Sequence, residues 1–220
     1  MKKPIVVNLA GAPGAGKSTG AAIIFAELKK AGVNVELVTE FAKDKTWEHN
    51  ATALNCQEYV FGIQSYRLAR CRNDVDVIVT DSPLPLSLVY NNNPALDYHF
   101  SAVVLNVFNT YENINFFVNR VKPYKSKGRK QTAEESDQLS VVIKNLYHNL
   151  NIGYSEINGD NEGYDFAVQY AVCVSLHGVD DACFGACVYC FKYDVQSDSN
   201  ACQDGGAGKG STGPCQKAVL

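Results

Sequence analysis

No apolar run among the 220 residues approaches the roughly 20 that a helix needs to cross a bilayer. The short apolar stretch at residues 5–10 follows the basic Met1-Lys2-Lys3-Pro4, but it is too short for the hydrophobic part of a secretory signal and runs straight into glycines. A soluble, cytoplasmic protein with no membrane partner is the expectation. An excess of positive charge is missing as well: 20 Lys and Arg stand against 23 Asp and Glu, a formal net charge of −3. That balance argues against a protein that wraps duplex nucleic acid, so any anion site must be local. The main body also contains no internal repeat.

Cysteine is plentiful but unevenly placed. Cys56, Cys71 and Cys173 are dispersed through the main body, where a free thiol acts as a small hydrophobe. Cys183, Cys187, Cys190, Cys202 and Cys215 crowd the end of the chain. The asymmetry predicts a boundary, with one domain over residues 1–175 and a Cys/Gly/Ser-rich tail over 176–220. A chain of this length suits one α/β domain with an appendage.

Residues 4–10 read as a strand buried on both faces, because apolar side chains run through them with only Asn8 interrupting. Glycines then break the run before Lys17 opens a helix carrying Ala21, Ile24, Phe25 and Leu28 at helical spacing, which Gly32 ends. Further strands are predicted at 33–39, 75–80, 114–118 and 154–157, and helices at 57–72, 94–108, 133–150 and 165–174. Strands alternating with helices imply right-handed crossovers, hence a three-layer α/β fold: a five-stranded parallel sheet with helices on both faces. Ligands of such sheets sit beyond the carboxyl ends of the strands.

The decisive motif lies at the first such end. Gly11-Ala12-Pro13-Gly14-Ala15-Gly16-Lys17-Ser18 fits G-x-x-x-x-G-K-[ST] after a strand and at the opening of a helix, with Thr19 next in line. Glycines allow backbone N–H groups to converge on phosphate oxygens, Lys17 reaches the β and γ phosphates, and Ser18 is suited to Mg²⁺. ATP with Mg²⁺ is therefore the expected cofactor pair. A second glycine-rich segment, residues 205–212, lacks the spacing and a preceding strand, so it reads as linker.

Two acids end later strands. Asp81 follows Val77-Ile78-Val79-Thr80, an arrangement that sets a carboxylate beside Mg²⁺ or its water. Glu40 ends the second strand, where a carboxylate can take a proton from an attacking hydroxyl. Between residues 119 and 130 lie Arg120, Lys122, Lys125, Lys127, Arg129 and Lys130 with no acid among them. A basic segment closing over a transferring phosphoryl group would stabilise its charge and exclude water.

Taken together, these residues resemble the nucleoside and nucleotide kinase branch of the P-loop superfamily, deoxynucleoside kinases and thymidylate kinases in particular. Val38-Thr39-Glu40, followed by Trp47, is similar to the deoxynucleoside kinase segment bearing the hydroxyl-activating glutamate. Ile63-Gln64-Ser65-Tyr66 resembles the segment whose glutamine hydrogen-bonds the base. The resemblance implies that Glu40 is the catalytic base and Gln64 a base reader, with Arg120 and Arg129 in an arginine-rich lid. The third strand ends in Asp81-Ser82-Pro83, whereas those families carry an arginine there. Arg67 and Arg70 are the candidates to replace it at the acceptor. Thr39-Glu40-Phe41-Ala42-Lys43-Asp44 and Lys122-Pro123-Tyr124 also resemble phage-encoded P-loop proteins described only as ATP-binding, which would place the chain in a host cytoplasm.

The reading is thus a kinase with a nucleoside, nucleotide or related small acceptor, a nucleoside being favoured over a monophosphate. Nucleic acid enters only as a modified-base acceptor, and a homodimer is compatible with the sequence. The rival readings are a P-loop ATPase or nucleotide-dependent regulatory module, and a metal-binding interaction protein built on the same scaffold. In the tail, Cys183, Cys187 and Cys190 follow C-x3-C-x2-C, which resembles the iron-sulfur loop of radical S-adenosylmethionine enzymes. Only 30 residues follow Cys190, too few for the barrel those enzymes build around the cluster. A zinc knot completed by Cys202 or Cys215 and an unliganded tail are the alternatives.

Overall fold

The computed structural model describes residues 3–127 and 131–177. Arg129 and the tail cysteines Cys183, Cys187 and Cys190 lie outside the described residues, as does the glycine-rich segment 205–212.

Five strands form one sheet: β1 (Ile5–Ala10), β2 (Val35–Val38), β3 (Val77–Thr80), β4 (Glu112–Asn119) and β5 (Ser155–Asn158). Their order is β2-β3-β1-β4-β5 and every pairing is parallel, so all five carboxyl ends lie along one rim. All six residues of the central strand β1 are buried, as its near-continuous apolar sequence requires. Its one polar side chain, Asn8, donates to Val6 O and to Asn113 Oδ1 and so is paired inside the core.

The helices are α1 (Lys17–Lys30), α2 (Phe41–Trp47), α3 (Ala51–Asn55), α4 (Gln57–Ala69), α5 (Leu86–Val89), α6 (Asp97–Phe108), α7 (Ala133–Asn149) and α8 (Asn161–His177). Alternate residues of β1 go to opposite faces. Ile5, Val7 and Leu9 pack with Ile24 and Leu28 of α1 and with Tyr164 and Ala171 of α8. Val6 packs with Phe61 and Leu68 of α4 and with Phe100 and Val104 of α6. Ala10 meets Ile143 and Tyr147 of α7.

Most predicted elements recur with shifted ends. β4 begins at Glu112 because its register with Ile5 carries pairing two residues beyond the apolar run. α8 starts at Asn161, four residues before the predicted 165, because the Asp160 carboxylate accepts the Gly163 N–H and caps the helix. The predicted helix 94–108 is a 3₁₀ turn, Pro94–Leu96, leading into α6. The short helices α2, α3 and α5 have no periodic signal in the sequence.

Helix α8 packs tightly against α1 at Gly20. A Cβ there would stand 2.5 Å from Tyr164 Cε1 and 2.9 Å from Leu9 Cδ2. Gly20→Ala should therefore cost about 1–3 kcal/mol of stability, although alanine is the better helix former. Urea unfolding is expected to show a lower midpoint at unchanged slope.

Candidate active site

The loop between β1 and α1 is shaped by its glycines and braced from two helices. Gly16 sits at φ 109, a conformation that side chains oppose, and a Cβ on it would fall 2.4 Å from Tyr164 Oη. That hydroxyl donates to Gly16 O at 3.0 Å, so α8 braces the start of α1. From the other side, Ser136 Oγ of α7 donates to Pro13 O at 2.7 Å. The Lys17 ammonium donates to Gly11 O at 2.7 Å and to Ala12 O at 3.1 Å, which holds it over the loop. The outcome is a braced turn at a helix N-terminus, suited to phosphate.

Glu40 is placed by the way the β2–α2 junction is tied down. Its own N–H donates to Asp81 Oδ1 at 2.9 Å, and the next N–H, of Phe41, donates to Gln64 Oε1 at 2.9 Å. Thr39 O accepts from Arg67 Nη1 at 3.1 Å and from Gln64 Nε2 at 3.4 Å. Side chains from the residue after β3 and from α4 thus satisfy the first donors of α2, the work that a local cap would otherwise do. Burial pushes the Glu40 carboxyl above the ordinary glutamate range. Asp81 adds to the rise, and Lys17 and Lys43 oppose it.

A cavity of about 480 Å³ joins the two regions. Its lining brings Gly16, Lys17, Ser18 and Thr19 together with Glu40 and Lys43. The same cavity is lined by the apolar and aromatic Trp47, Val60, Phe61, Leu86 and Tyr90 and by polar side chains that include Asn55, Gln57, Ser87 and Asn92. The Tyr90 phenol is pushed up to about 12 by burial and then by the Glu40 charge, so it stays a neutral donor at physiological pH.

Several residues singled out from the sequence sit elsewhere or act differently. Gln64 lines the cavity, yet its carboxamide is engaged with the β2–α2 backbone, so in this conformation it orders the Glu40 junction. Arg67 does not line the cavity: it pairs with Asp44 at 2.6 Å and lies 5.2 Å over the Phe41 ring. In this conformation its guanidinium is engaged by Asp44 of α2 and by Thr39 O. Arg70 faces Glu36 on the outer edge. Asp81 is only 3% exposed and lies behind Glu40. Arg120 pairs with Asp137 and borders a second cavity, of about 230 Å³, together with Ala12 and Ala15. Tyr90, Lys43, Ser136 and Tyr164 escaped sequence reasoning, and only Lys43, one helical turn after Glu40, had a local signal.

Residues 6–163 match the family of the AAA domain, well over half of the chain. The chain belongs to that family. This AAA domain is also similar in structure to thymidylate kinase from Ehrlichia chaffeensis, with a TM-score of 0.54 at 14% identity over 79% of this chain and 99% of that one. At that identity the likeness establishes a shared P-loop kinase-like fold. No protein of curated function matches the sequence. No helix among the described residues of the AAA domain is long and apolar enough to cross a membrane.

Proposed function

We propose that the protein is an ATP-dependent phosphotransferase acting on a nucleoside, nucleotide or related small hydroxyl compound. The observation that carries this reading is that Lys17 and Ser18 share one cavity with Glu40 and with aromatic and polar side chains such as Trp47, Phe61, Gln57 and Asn92. A hydrolase needs only the phosphate grip, whereas a cavity of about 480 Å³ with aromatic and hydrogen-bonding walls beside a carboxylate suits an organic acceptor.

In this reading the backbone of residues 11–18 grips the phosphates, with Lys17 against the β and γ groups. Glu40 takes the proton from the acceptor hydroxyl as its oxygen forms the new bond to γ-phosphorus. The bond between that phosphorus and the β–γ bridging oxygen breaks, and ADP leaves. A carboxylate with a raised pKa is the better base, since proton transfer is most efficient when the base titrates nearer the working pH. Ser18 on the cavity wall and Asp81, buried behind Glu40, would hold Mg²⁺: both offer hard oxygen donors, and Mg²⁺ is usually held by one or two carboxylates with waters and phosphates. When bound, Mg²⁺ would neutralise charge on the transferring phosphoryl group.

Incubation with γ-labelled ATP and, in turn, nucleosides, nucleoside monophosphates and hydroxymethylated DNA tests the assignment. Label is expected in one class of hydroxylated acceptor. Labelled orthophosphate as the sole product in every mixture would replace the kinase with an ATPase.

A further inference from the structure

The Arg120–Asp137 pair next to the phosphate loop is not needed by the steps above. Arg120 follows β4 directly, and its Nη2 is paired with Asp137 Oδ1. One face of the guanidinium lies 5.2 Å from the centre of the Tyr124 ring. Nη1, by contrast, is buried and has no hydrogen-bond acceptor among the described residues. A buried donor left unpaired costs free energy, and such groups call for a ligand, an ion or a water. The cavity that Arg120 borders is also lined by Ala12 and Ala15 of the phosphate loop, whose Gly16, Lys17 and Ser18 line the larger cavity, so the guanidinium adjoins the loop that would carry a nucleotide.

Asp137 is not placed by chance. Helix α7 starts from a capping box in which Thr132 Oγ1 accepts the Glu135 N–H and the Glu135 carboxylate accepts the Thr132 N–H. The next residue, Ser136, is hydrogen-bonded to Pro13 O in the phosphate loop, and the one after it is Asp137. One helical turn is therefore registered on the loop and on Arg120 at once. The Asp137 side chain itself is 66% exposed, so the pair adds little to stability.

We infer that Asp137 is a positioning residue for nucleotide binding, holding the Arg120 guanidinium so that Nη1 donates to an oxygen of the nucleotide on the phosphate loop. Holding a planar fork in advance reduces the ordering cost when the ligand arrives. This rests only on the nucleotide-binding half of the proposed function. It is tested without any acceptor, so a failure of phosphotransfer would leave it untouched.

Calorimetric titration of the full chain with Mg·ATP is the experiment, with thermal melting as the control for folding. Asp137→Ala is expected to weaken binding about threefold to tenfold while the melting temperature hardly moves. Asp137→Glu should recover most of the loss, and Asp137→Asn, which keeps one acceptor oxygen, should fall between. Arg120→Ala should weaken binding about tenfold or more, as loss of a charge-assisted hydrogen bond does. Adding Asp137→Ala to Arg120→Ala should then change nothing further, because the carboxylate acts only through the guanidinium. Wild-type affinity in Asp137→Ala or in Arg120→Ala, or losses that add in full in the double variant, would overturn the inference.

Discussion

Glu40→Gln is expected to bind Mg·ATP about as well as the wild type and to transfer phosphate about 10²–10⁴-fold more slowly, the usual worth of a positioned general base. Glutamine keeps the shape of the side chain, and the backbone tie from the residue-40 N–H to Asp81 does not depend on its head group. A rate close to wild type would remove Glu40 from the mechanism. The same substitution carries a pH signature. Because burial raises the Glu40 pKa, the folded state holds its proton more tightly than the unfolded state does. The stability that comes from this is fully present below the unfolded glutamate value, about 4.3, and is lost as pH rises through the folded pKa. Glu40→Gln should thus melt higher than wild type at neutral pH, with the gap closing in acid. Wild-type kcat/KM should rise with pH as Glu40 ionises, and this limb should vanish in the variant.

Lys17→Ala should lower turnover by about 10²–10³-fold, the scale on which one donor to a developing oxyanion counts, and should weaken Mg·ATP binding as well. Two effects combine here. The ammonium is the charge nearest the transferring group in the proposed pose, and its bonds to Gly11 O and Ala12 O span the loop, so their loss relaxes the cradle. A third consequence separates this site from a generic phosphate grip. Lys17 is the largest influence holding the Glu40 pKa down against burial. Its removal should shift the residual pH–rate profile to higher pH. Unchanged nucleotide binding in Lys17→Ala would discard the phosphate-loop assignment and all that follows from it.

The phosphate loop was legible because backbone chemistry forces its residue types: Gly14 and Gly16 take left-handed φ values of 84° and 109° that other residues avoid. Glu40 and Asp81 were legible for a different reason, since a parallel sheet brings all strand ends to one rim. The cations were visible as a cluster, but their partners were not. Arg67 reaches Asp44 across 23 positions and Arg120 reaches Asp137 across 17, and no local pattern marks such pairs. Helix α2 was illegible because its first N–H groups are met by Asp81 and Gln64, side chains far off in sequence. The same contacts explain why a glutamine that resembles a base reader is found ordering the backbone at Glu40.

The brace from Tyr164 to Gly16 joins a residue near the start of the chain to one 148 positions later. During synthesis the glycine motif therefore leaves the ribosome long before its brace, and that tie can form only after the residues of all five strands have been made.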